Sequence, residues 1–254
     1  MFPFWSVLDR TPKLAGSWGV ALVSLLFPEK CPFCRSLLID RTNELPGLCP
    51  SCAQDIHWIA APLCPRCGRP YLKGTDAHLC SDCLREKHWF DWCRAVVGYQ
   101  GVMAEAIQRF KYHGEIQLAD SLGWLWKKIS LEDLSFEVII PVPLYPSRLR
   151  ERGFNQSLVL GRILGRFLHK PVVIKGLRRT RNTVPQVELD HAQREKNVRG
   201  AFEVGDSQEI KGKSVLLVDD VFTTGATVNE CTKVLKKAGA GQVYVLTLAR
   251  VGVE

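Results

Sequence analysis

Two adjacent carboxylates, Asp219 and Asp220, end an apolar run in the segment "VLLVDDVFTTGAT" (215–227). Buried carboxylates are costly to desolvate unless a cation or a hydroxyl-rich ligand receives them. The stretch that follows, Thr223 to Thr227, is rich in hydroxyls, contains little side-chain bulk and leads into a predicted helix. Backbone N–H groups at a helix N-terminus bind phosphate. The pattern therefore indicates a phosphate cradle beside two acids that suit a ribose diol, directly or through a divalent cation.

The helix after this cradle is predicted to begin with a capping box. In "TVNE", Thr227 would be the N-cap and Glu230 stands three residues further on. Gly225 would let the backbone approach the phosphate closely, because it has no side chain.

Cysteines supply a second set of chemical groups. Eight of the ten form four Cys-X-X-Cys pairs, and each pair places two thiols on one tight turn. Two pairs supply the four thiolates of a tetrahedral zinc site. No secretion signal favours disulfides, and no βαβ setting favours a redox pair. The chain is therefore predicted to bind two structural zinc ions.

The four cysteine pairs can share two zinc ions in two ways. Sequential pairing joins the first pair with the second and the third with the fourth, whereas interleaved pairing joins the first with the third. The sequential sites consist of Cys31, Cys34, Cys49 and Cys52, and of Cys64, Cys67, Cys80 and Cys83. Cys93 and Cys231 remain as core or surface thiols. Removal of zinc is predicted to unfold the N-terminal part and to leave the rest of the chain intact.

Strands and helices alternate after the cysteine-rich region. The predicted strands are 93–100, 136–143, 171–174, 214–220 and 242–250, and the predicted helices are 103–113, 155–168 and 227–239. Such alternation is typical of a parallel sheet with helices on both faces. Ligands bind at the carboxyl ends of the strands in such sheets, which is where Asp219 and Asp220 stand.

Positive charge is concentrated in one part of the 254-residue chain. The formal net charge is +8, and residues 141–200 alone hold thirteen Lys/Arg against four Asp/Glu, a balance of +9. Such a concentration favours anionic ligands such as phosphates or nucleic acid. Aromatic side chains that could stack on single-stranded bases, or else belong to the core, are Trp58, Trp89, Phe90, Trp92 and Tyr145.

The N-terminal segment is predicted to be a helix that packs on the body. Its apolar stretch, 18–28, contains Gly19, ends at Pro28 and is shorter than a membrane span. No small-residue cleavage site of a signal peptide follows it, so a cytoplasmic protein without a membrane span is expected. The predicted division is a helical segment (1–30), a double zinc ribbon (31–92) and an α/β domain (93–254).

Several motifs resemble a known family. "VLLVDDVFTTGAT" resembles the phosphoribosyl-pyrophosphate (PRPP) signature of type I phosphoribosyltransferases. "IIPVPLYPSRLRERGFNQS" (139–157), "RTRNTVPQVELDHAQREKNVRGAFEV" (179–204) and the cysteine-rich front are similar to the ComF/GntX family, which includes proteins of bacterial DNA uptake in natural competence. The likeness runs from about Leu25 to Val251. It implies a type I phosphoribosyltransferase fold with a hood, preceded by a small zinc-ribbon domain.

The resemblance also implies a PRPP site. Asp219 and Asp220 would bind the ribose hydroxyls, and the following loop would bind the 5′-phosphate. Arg148, Arg152 and the backbone near Gly153 would bind pyrophosphate with Mg²⁺, and residues 178–200 would form the hood. The implied PRPP-binding residues are Asp219, Asp220, Val221, Phe222, Thr223, Thr224, Gly225, Ala226, Thr227, Arg148, Arg152, Gly153, Arg194 and Asn197.

The function implied is PRPP binding with phosphoribosyl transfer, in DNA uptake or nucleotide metabolism. Thr223 stands where purine-salvage members of the superfamily have an acid, which disfavours hypoxanthine-like acceptors, and no residue stands out as a general base. Alternatives are a PRPP-sensing regulator without turnover and a protein that handles single-stranded DNA, with other DNA-uptake proteins as further partners. For the DNA alternative, Arg178, Arg179 and Arg181 are expected to contact the strand, since they precede the inward-facing part of the hood.

Overall fold

The protein's structure is a computed structural model that describes residues 27–38, 45, 47–71, 76–183 and 191–253. The predicted N-terminal helix falls on residues 1–30, most of which lie outside the described ranges. Among the helices within those ranges, none has both the length and the apolar character needed to cross a bilayer.

Short helices and strands make up the described chain. The helices are α1 (Pro50–Gln54), α2 (Ser81–Arg85), α3 (Gly101–Tyr112), α4 (Leu118–Trp124), α5 (Pro146–Arg152), α6 (Gln156–Leu168), α7 (His191–Val198) and α8 (Ala226–Lys237), and a 3-10 turn covers Leu125–Lys128. The strands are β1 (Trp92–Gly98), β2 (Val138–Pro141), β3 (Leu177–Arg179), β4 (Phe202–Val204), β5 (Val215–Phe222) and β6 (Val243–Arg250).

Four of these strands form the central sheet, in the order β1-β6-β5-β2, and every neighbouring pair is parallel. The first four residues of β5 and all eight of β6 are buried, as expected for strands covered by other elements on both faces. This sheet confirms the predicted α/β class. The parallel strands bring the carboxyl end of β5, with Asp219 and Asp220, to one edge of the sheet.

Each cysteine-rich half joins the hydrophobic core on a different face of the sheet. Cys31, Phe33 and Cys52 pack in one cluster with residues of α3, α4 and α6. The four cysteines from Cys64 to Cys83 pack in the other cluster, with residues of α8 and of the β3–β4 pair. The cysteine-rich segment therefore shares its core with the sheet.

Several local features of the structure differ from the predictions. The segment 171–174 is no strand: a single parallel bridge joins Val172 to Ile139 before the chain turns. The antiparallel β3–β4 pair was not predicted, because its strands have three residues each and lie more than twenty residues apart. Strands this short carry too few alternating positions to show a period of two.

The predicted capping box is wrong. Helix α8 begins at Ala226, and its N-cap is Gly225 with φ +82°, rather than Thr227. The Glu230 carboxylate instead accepts the backbone N–H of Gly200 at 2.9 Å and pairs with Lys233. The Glu230 carboxylate, which the capping box assigned to the start of α8, is therefore bonded to a distant part of the chain instead.

Candidate functional site

The eight paired cysteines form two clusters with the geometry of zinc sites. Within each cluster, all four sulfur atoms lie within 4.8 Å of one another. Sulfurs of different pairs are 3.6 Å apart between Cys34 and Cys49, and 3.5 Å apart between Cys67 and Cys80. A tetrahedral zinc with Zn–S bonds of about 2.3 Å separates its sulfurs by about 3.8 Å. The clusters confirm sequential pairing and fit structural zinc.

In each cluster, a backbone N–H group lies close to one of the cysteine sulfurs. The N–H of Cys49 lies 3.5 Å from the Cys31 sulfur, and the N–H of Cys80 lies 3.4 Å from the Cys64 sulfur. Such N–H···S contacts stabilise thiolate ligands and fix their orientation. The two cysteines outside the clusters, Cys93 and Cys231, are both buried in the core.

The first cluster is bonded to the α/β body through Arg109, a buried residue of α3. Its guanidinium donates to the carbonyl oxygens of Pro32 and Phe33, between the first two cysteines, and to the carboxylate of Glu115. Asp55, which follows α1, accepts the N–H of Val102 at the start of α3 at 2.7 Å. Helix α3 is thus held at its N-terminus and near its C-terminus by the cysteine-rich segment.

Ser157 positions the first carboxylate of the pair. Its hydroxyl donates to Oδ1 of Asp219 at 2.8 Å, and the N–H of Asp220 donates to the same oxygen at 2.9 Å. Ser157 stands in the first turn of α6, whose N-cap is Asn155. The Asn155 side chain accepts the N–H of Leu158 and donates to the carbonyl of Val142, after β2. The start of α6 is therefore held at the carboxyl end of the sheet.

Lys111 neutralises the second carboxylate. Its ammonium lies 2.9 Å from Oδ1 of Asp220, and the two side chains are 16% and 10% exposed. Burial lowers the pKa of Lys111, but the carboxylates of Asp220 and Asp219 outweigh burial and raise it. One of the two adjacent acids therefore has a counter-charge at contact distance.

Asp219 is held by hydrogen bonds rather than by a paired cation of its own within the described part of the chain. Burial and the neighbouring charge of Asp220 raise its pKa from 3.8 to about 7, although Lys111 and the Ser157 hydroxyl oppose them. Acids whose ionisation is opposed by burial and by a like charge are common at functional sites, which makes Asp219 a candidate site residue. Hydroxyl donors of a ligand would stabilise the ionised form.

The loop between β5 and α8 consists of Thr223, Thr224 and Gly225. Val221 and Phe222, which the resemblance placed in the PRPP site, still belong to β5, and Ala226 already belongs to α8. Thr224 accepts the N–H of Ala226 through its hydroxyl at 3.4 Å. The loop thus brings hydroxyls to the N-terminus of a twelve-residue helix, which is a geometry that binds phosphate.

The predicted pyrophosphate segment is a short helix, α5. Arg148 pairs with Glu151 at 2.7 Å. Arg152 donates to the side chain of Gln156 at 3.1 Å, and its guanidinium carbon lies 4.8 Å from the ring centre of Tyr112. Gly153 has φ +78° and caps α5, since its N–H bonds the carbonyl of Leu149. The N–H of Gly153 is therefore already engaged in this conformation.

Of the predicted hood, residues 178–200, the structure describes 178–183 and 191–200, which include the end of β3 and helix α7, and residues 184–190 lie outside the described ranges. Arg194 and Asn197 lie on α7, which packs against α8, and both are partly buried. Arg181 donates to the carbonyl oxygens of Asn197 and Arg199. Arg178 is exposed and pairs with Glu203 at 2.7 Å.

Arg179 differs from these neighbours, because alternate residues of a strand point to opposite faces. It is partly buried, its guanidinium carbon lies 5.2 Å from the ring centre of Phe202, and it bonds the Thr183 hydroxyl. Burial lowers its pKa, as do Arg148 and Arg152, while Asp219 opposes this effect. Arg179 is therefore the more buried of the two β3 arginines, and its expected contact with a DNA strand stays a prediction.

Aromatic side chains named for base stacking are mostly part of the core. Phe90 is 1% exposed, and Trp92 packs edge-to-face against Tyr244. Trp58, Trp89 and Tyr145 are partly buried. Phe90 is therefore not available for stacking on a strand, whereas the other four are only partly buried.

The sequence did not reveal Lys111 or Ser157 as site residues. Both lie within predicted helices, Lys111 near the end of one and Ser157 near the start of another, where lysine and serine are ordinary residues. Only the strand order shows that these two helix ends meet at β5.

Two family models match the chain. One is described as "Double zinc ribbon domain" and matches residues 22–84; the other is described as "Phosphoribosyl transferase domain" and matches residues 156–253. With the parallel sheet and the two cysteine clusters, they confirm a type I phosphoribosyltransferase fold preceded by a double zinc ribbon.

Similar named proteins extend over most of the chain. "Competence protein F" of Haemophilus influenzae is 34% identical over 232 residues, which are 88% of this chain and 98% of that protein. "DNA utilization protein YhgH" of Escherichia coli strain K12 is 32% identical over 81% of this chain and 98% of its own length. "Competence protein ComFC" of Bacillus subtilis is 29% identical over 85% of this chain and 88% of its own length.

Proposed function

The chain belongs to the ComF family of competence proteins, and from this premise we propose that it binds PRPP with Mg²⁺ at Asp219 and Asp220. We further propose that it transfers the phosphoribosyl group to a nitrogen nucleophile, and that it acts in the uptake or use of DNA. The names of the relatives, "Competence protein F" and "DNA utilization protein YhgH", support the process.

One observation carries the PRPP proposal. Near the carboxyl end of β5, the carboxylates of Asp219 and Asp220 (the acid pair) are each held by another side chain of the protein. Ser157 and Lys111 hold the two carboxylates, and after the last two residues of β5 a loop of three residues, 223–225, leads into the N-terminus of α8. A ribose 5-phosphate has vicinal hydroxyls that donate to carboxylates and a phosphate that accepts N–H groups. Its two ends therefore match the two parts of the site.

Residues of the chain would act mainly by positioning PRPP and by neutralising the charge that develops on its leaving group. The acid pair would accept the ribose hydroxyls, and Thr223 to Thr227 would hold the 5′-phosphate. When the C1–O bond breaks, pyrophosphate leaves with the electron pair, and Arg148 and Arg152 would stabilise its charge. Carboxylate oxygens such as those of Asp219 and Asp220 suit Mg²⁺, which when bound supplies further neutralisation of the leaving group. Residues of the hood, including Arg194 and Asn197, would exclude water.

The nucleophile would attack C1 from the face opposite to pyrophosphate. Thr223 carries a hydroxyl and no carboxylate, so an acceptor that needs an acid beside it, such as hypoxanthine, fits poorly. A regulator that binds PRPP without turnover would keep the same site and release no pyrophosphate.

Calorimetry with PRPP and Mg²⁺ tests the proposed function. We expect binding at pH 8 that weakens at lower pH, because the pKa of Asp219 is raised to about 7 and its carboxylate must be ionised to accept the ribose hydroxyls. Below pH 7, affinity should fall by up to about tenfold per pH unit. A pyrophosphate-release assay over amines and nitrogen heterocycles then separates enzyme from regulator. No binding of PRPP at pH 8 would exclude both.

Handling of single-stranded DNA is a second candidate function, favoured by the charge of +9 in residues 141–200. Many of these basic side chains are exposed, including Arg162 and Lys170 of the α6 region and Arg178 and Arg181 of the hood. A PRPP site needs only a few cations, so the surplus is available to a nucleic acid backbone.

Changing Arg178 and Arg181 to alanine is expected to weaken the binding of single-stranded DNA. It should also make that binding less dependent on salt concentration. The log–log slope against salt should fall by about 1.4, since each neutralised phosphate contributes roughly 0.7. Arg179 is kept, because it is partly buried and packs on the Phe202 ring. Gel shifts over a salt series measure the slope.

The control variant changes Lys211 and Lys237 to alanine, two exposed residues outside the basic segment. It removes the same charge and should leave the slope nearly unchanged. Equal slopes for both variants, or no binding by the wild type near physiological salt, would remove this role from the hood.

A further inference from the structure

Arg250 is a buried cation that the proposed chemistry does not use. It is 5% exposed and ends β6, where it pairs in register with Phe222 of β5. A charge without a partner is too costly to bury. Its neighbours therefore show what it stabilises.

One side of the Arg250 guanidinium contacts the second cysteine cluster. Nη1 donates to the carbonyl oxygen of Cys67 at 2.6 Å, and Nη2 lies 3.9 Å from the Cys67 sulfur. Four thiolates around a zinc ion carry a charge of about −2. The second cluster is therefore the anion that balances Arg250.

The other side of the guanidinium lies on Phe222. The guanidinium carbon is 4.4 Å from the centre of the Phe222 ring, a cation–π distance. Phe90, which follows the second cluster in the chain, packs edge-to-face on the same ring with the centres 6.5 Å apart. Phe222 is thus contacted by Arg250 of β6 and by Phe90, which follows the second cluster.

Phe222 in turn supports the phosphate loop. A Cβ atom added to Gly225 would lie 2.5 Å from Cζ of the Phe222 ring, so the turn with φ +82° rests directly on the ring. Beside this contact, a cavity of about 100 Å³ lies between Thr223 and Thr224 on one side and Arg69 and His88 on the other. The loop threonines therefore line a cavity that they share with the second ribbon, and the Phe222 ring fills the space beside Gly225.

We propose that Arg250 is a positioning residue that holds the phosphate loop on the second zinc ribbon through Phe222. The ligand it serves is the 5′-phosphate of a phosphorylated ribose, so the inference rests on the proposed function. It assigns the second ribbon a role in forming the phosphate cradle. The first ribbon contacts α3 and has no part in this chain of contacts.

The test compares Arg250→Met with Arg250→Lys and with the control Arg162→Met, an exposed arginine of α6. Calorimetry with ribose 5-phosphate and, separately, with magnesium pyrophosphate measures the two ends of the site. For Arg250→Met we expect ribose 5-phosphate affinity to fall tenfold or more, pyrophosphate affinity to stay within about twofold and two zinc ions to remain bound. Lysine should recover part of the loss, because it keeps the charge.

A double-mutant cycle with Phe222→Leu tests whether Arg250 acts on the phosphate loop through Phe222. If Arg250 acts through Phe222, the double variant should lose no more affinity than the weaker-binding single variant, whereas independent effects would add. Additive losses, or equal losses for ribose 5-phosphate and pyrophosphate, would overturn the proposal. Wild-type protein that binds neither ligand would instead mean that the proposed function is wrong.

Discussion

Replacing both Asp219 and Asp220 by asparagine is expected to weaken PRPP binding by about a hundredfold or more. Each carboxylate would accept a ribose hydroxyl, and losing a hydrogen bond to a charged group costs about 1.5–3 kcal/mol. Two such losses amount to at least about 3 kcal/mol, which is about a hundredfold in Kd. Calorimetry with PRPP and Mg²⁺ at pH 8 measures the change.

The single variants should differ in stability, which separates binding from folding. In Asp219→Asn, the amide oxygen of the new side chain can still accept the Ser157 hydroxyl and the N–H of Asp220, and the change removes an acid whose pKa is raised by burial and by Asp220. Ionisation of Asp219 opposes folding progressively as the pH rises from its unfolded value near 3.8 through about 7. At pH 8, Asp219→Asn should therefore unfold at the wild-type temperature or above it, despite its lost affinity.

Asp220→Asn should be the less stable single variant. It leaves the buried Lys111 ammonium without its nearest carboxylate, and breaking a buried ion pair by removing one partner is destabilising. Combining it with Lys111→Met should restore stability without restoring affinity. The exposed Asp133→Asn is the matched control, with wild-type affinity expected. PRPP affinity that is unchanged in the double asparagine variant would mean that the acid pair does not bind the ribose.

Purified protein is expected to contain close to two zinc ions per chain, and removing them should unfold the α/β body together with the ribbons. Binding of structural zinc contributes about 10–16 kcal/mol in isolated zinc-finger peptides, whereas whole domains are stable by only about 5–15 kcal/mol. Arg109 and Arg250 bond the two clusters to the body, and both clusters belong to its hydrophobic core. An intact body after chelation, as the sequence alone suggests, is therefore not expected.

Metal analysis under reducing conditions and thermal unfolding followed by circular dichroism measure these effects. The control is Cys231→Ala, which alters a buried cysteine outside the clusters and should keep two zinc ions. Two unfolding transitions after chelation, with the later one at the wild-type temperature, would show that the body is independent of the ribbons. A zinc content near zero would contradict the metal sites themselves.

Local signals in the sequence predicted the parts of the molecule that depend on neighbours in the chain. The spacing within each Cys-X-X-Cys pair predicted zinc ligands, because such a pair lies on a turn of a few residues, but it left the order in which the pairs share a metal open. The apolar run before Asp219 and the small residues after Phe222 predicted a strand end and an anion-binding loop. Helices α3, α6 and α8 were predicted within a few residues of their observed bounds, because apolar residues recur along them with a helical period.

Contacts between distant parts of the chain were decided only by the tertiary structure. Lys111 reaches Asp220 across 109 positions and Ser157 reaches Asp219 across 62, and Arg250 joins Cys67 across 183. Lysine, serine and arginine each occur on many solvated surfaces, so their types alone do not tell which partner they meet. The order β1-β6-β5-β2 sets those partners, because hydrogen bonding between strands, and packing on both faces of the sheet, bring together residues that no periodicity relates.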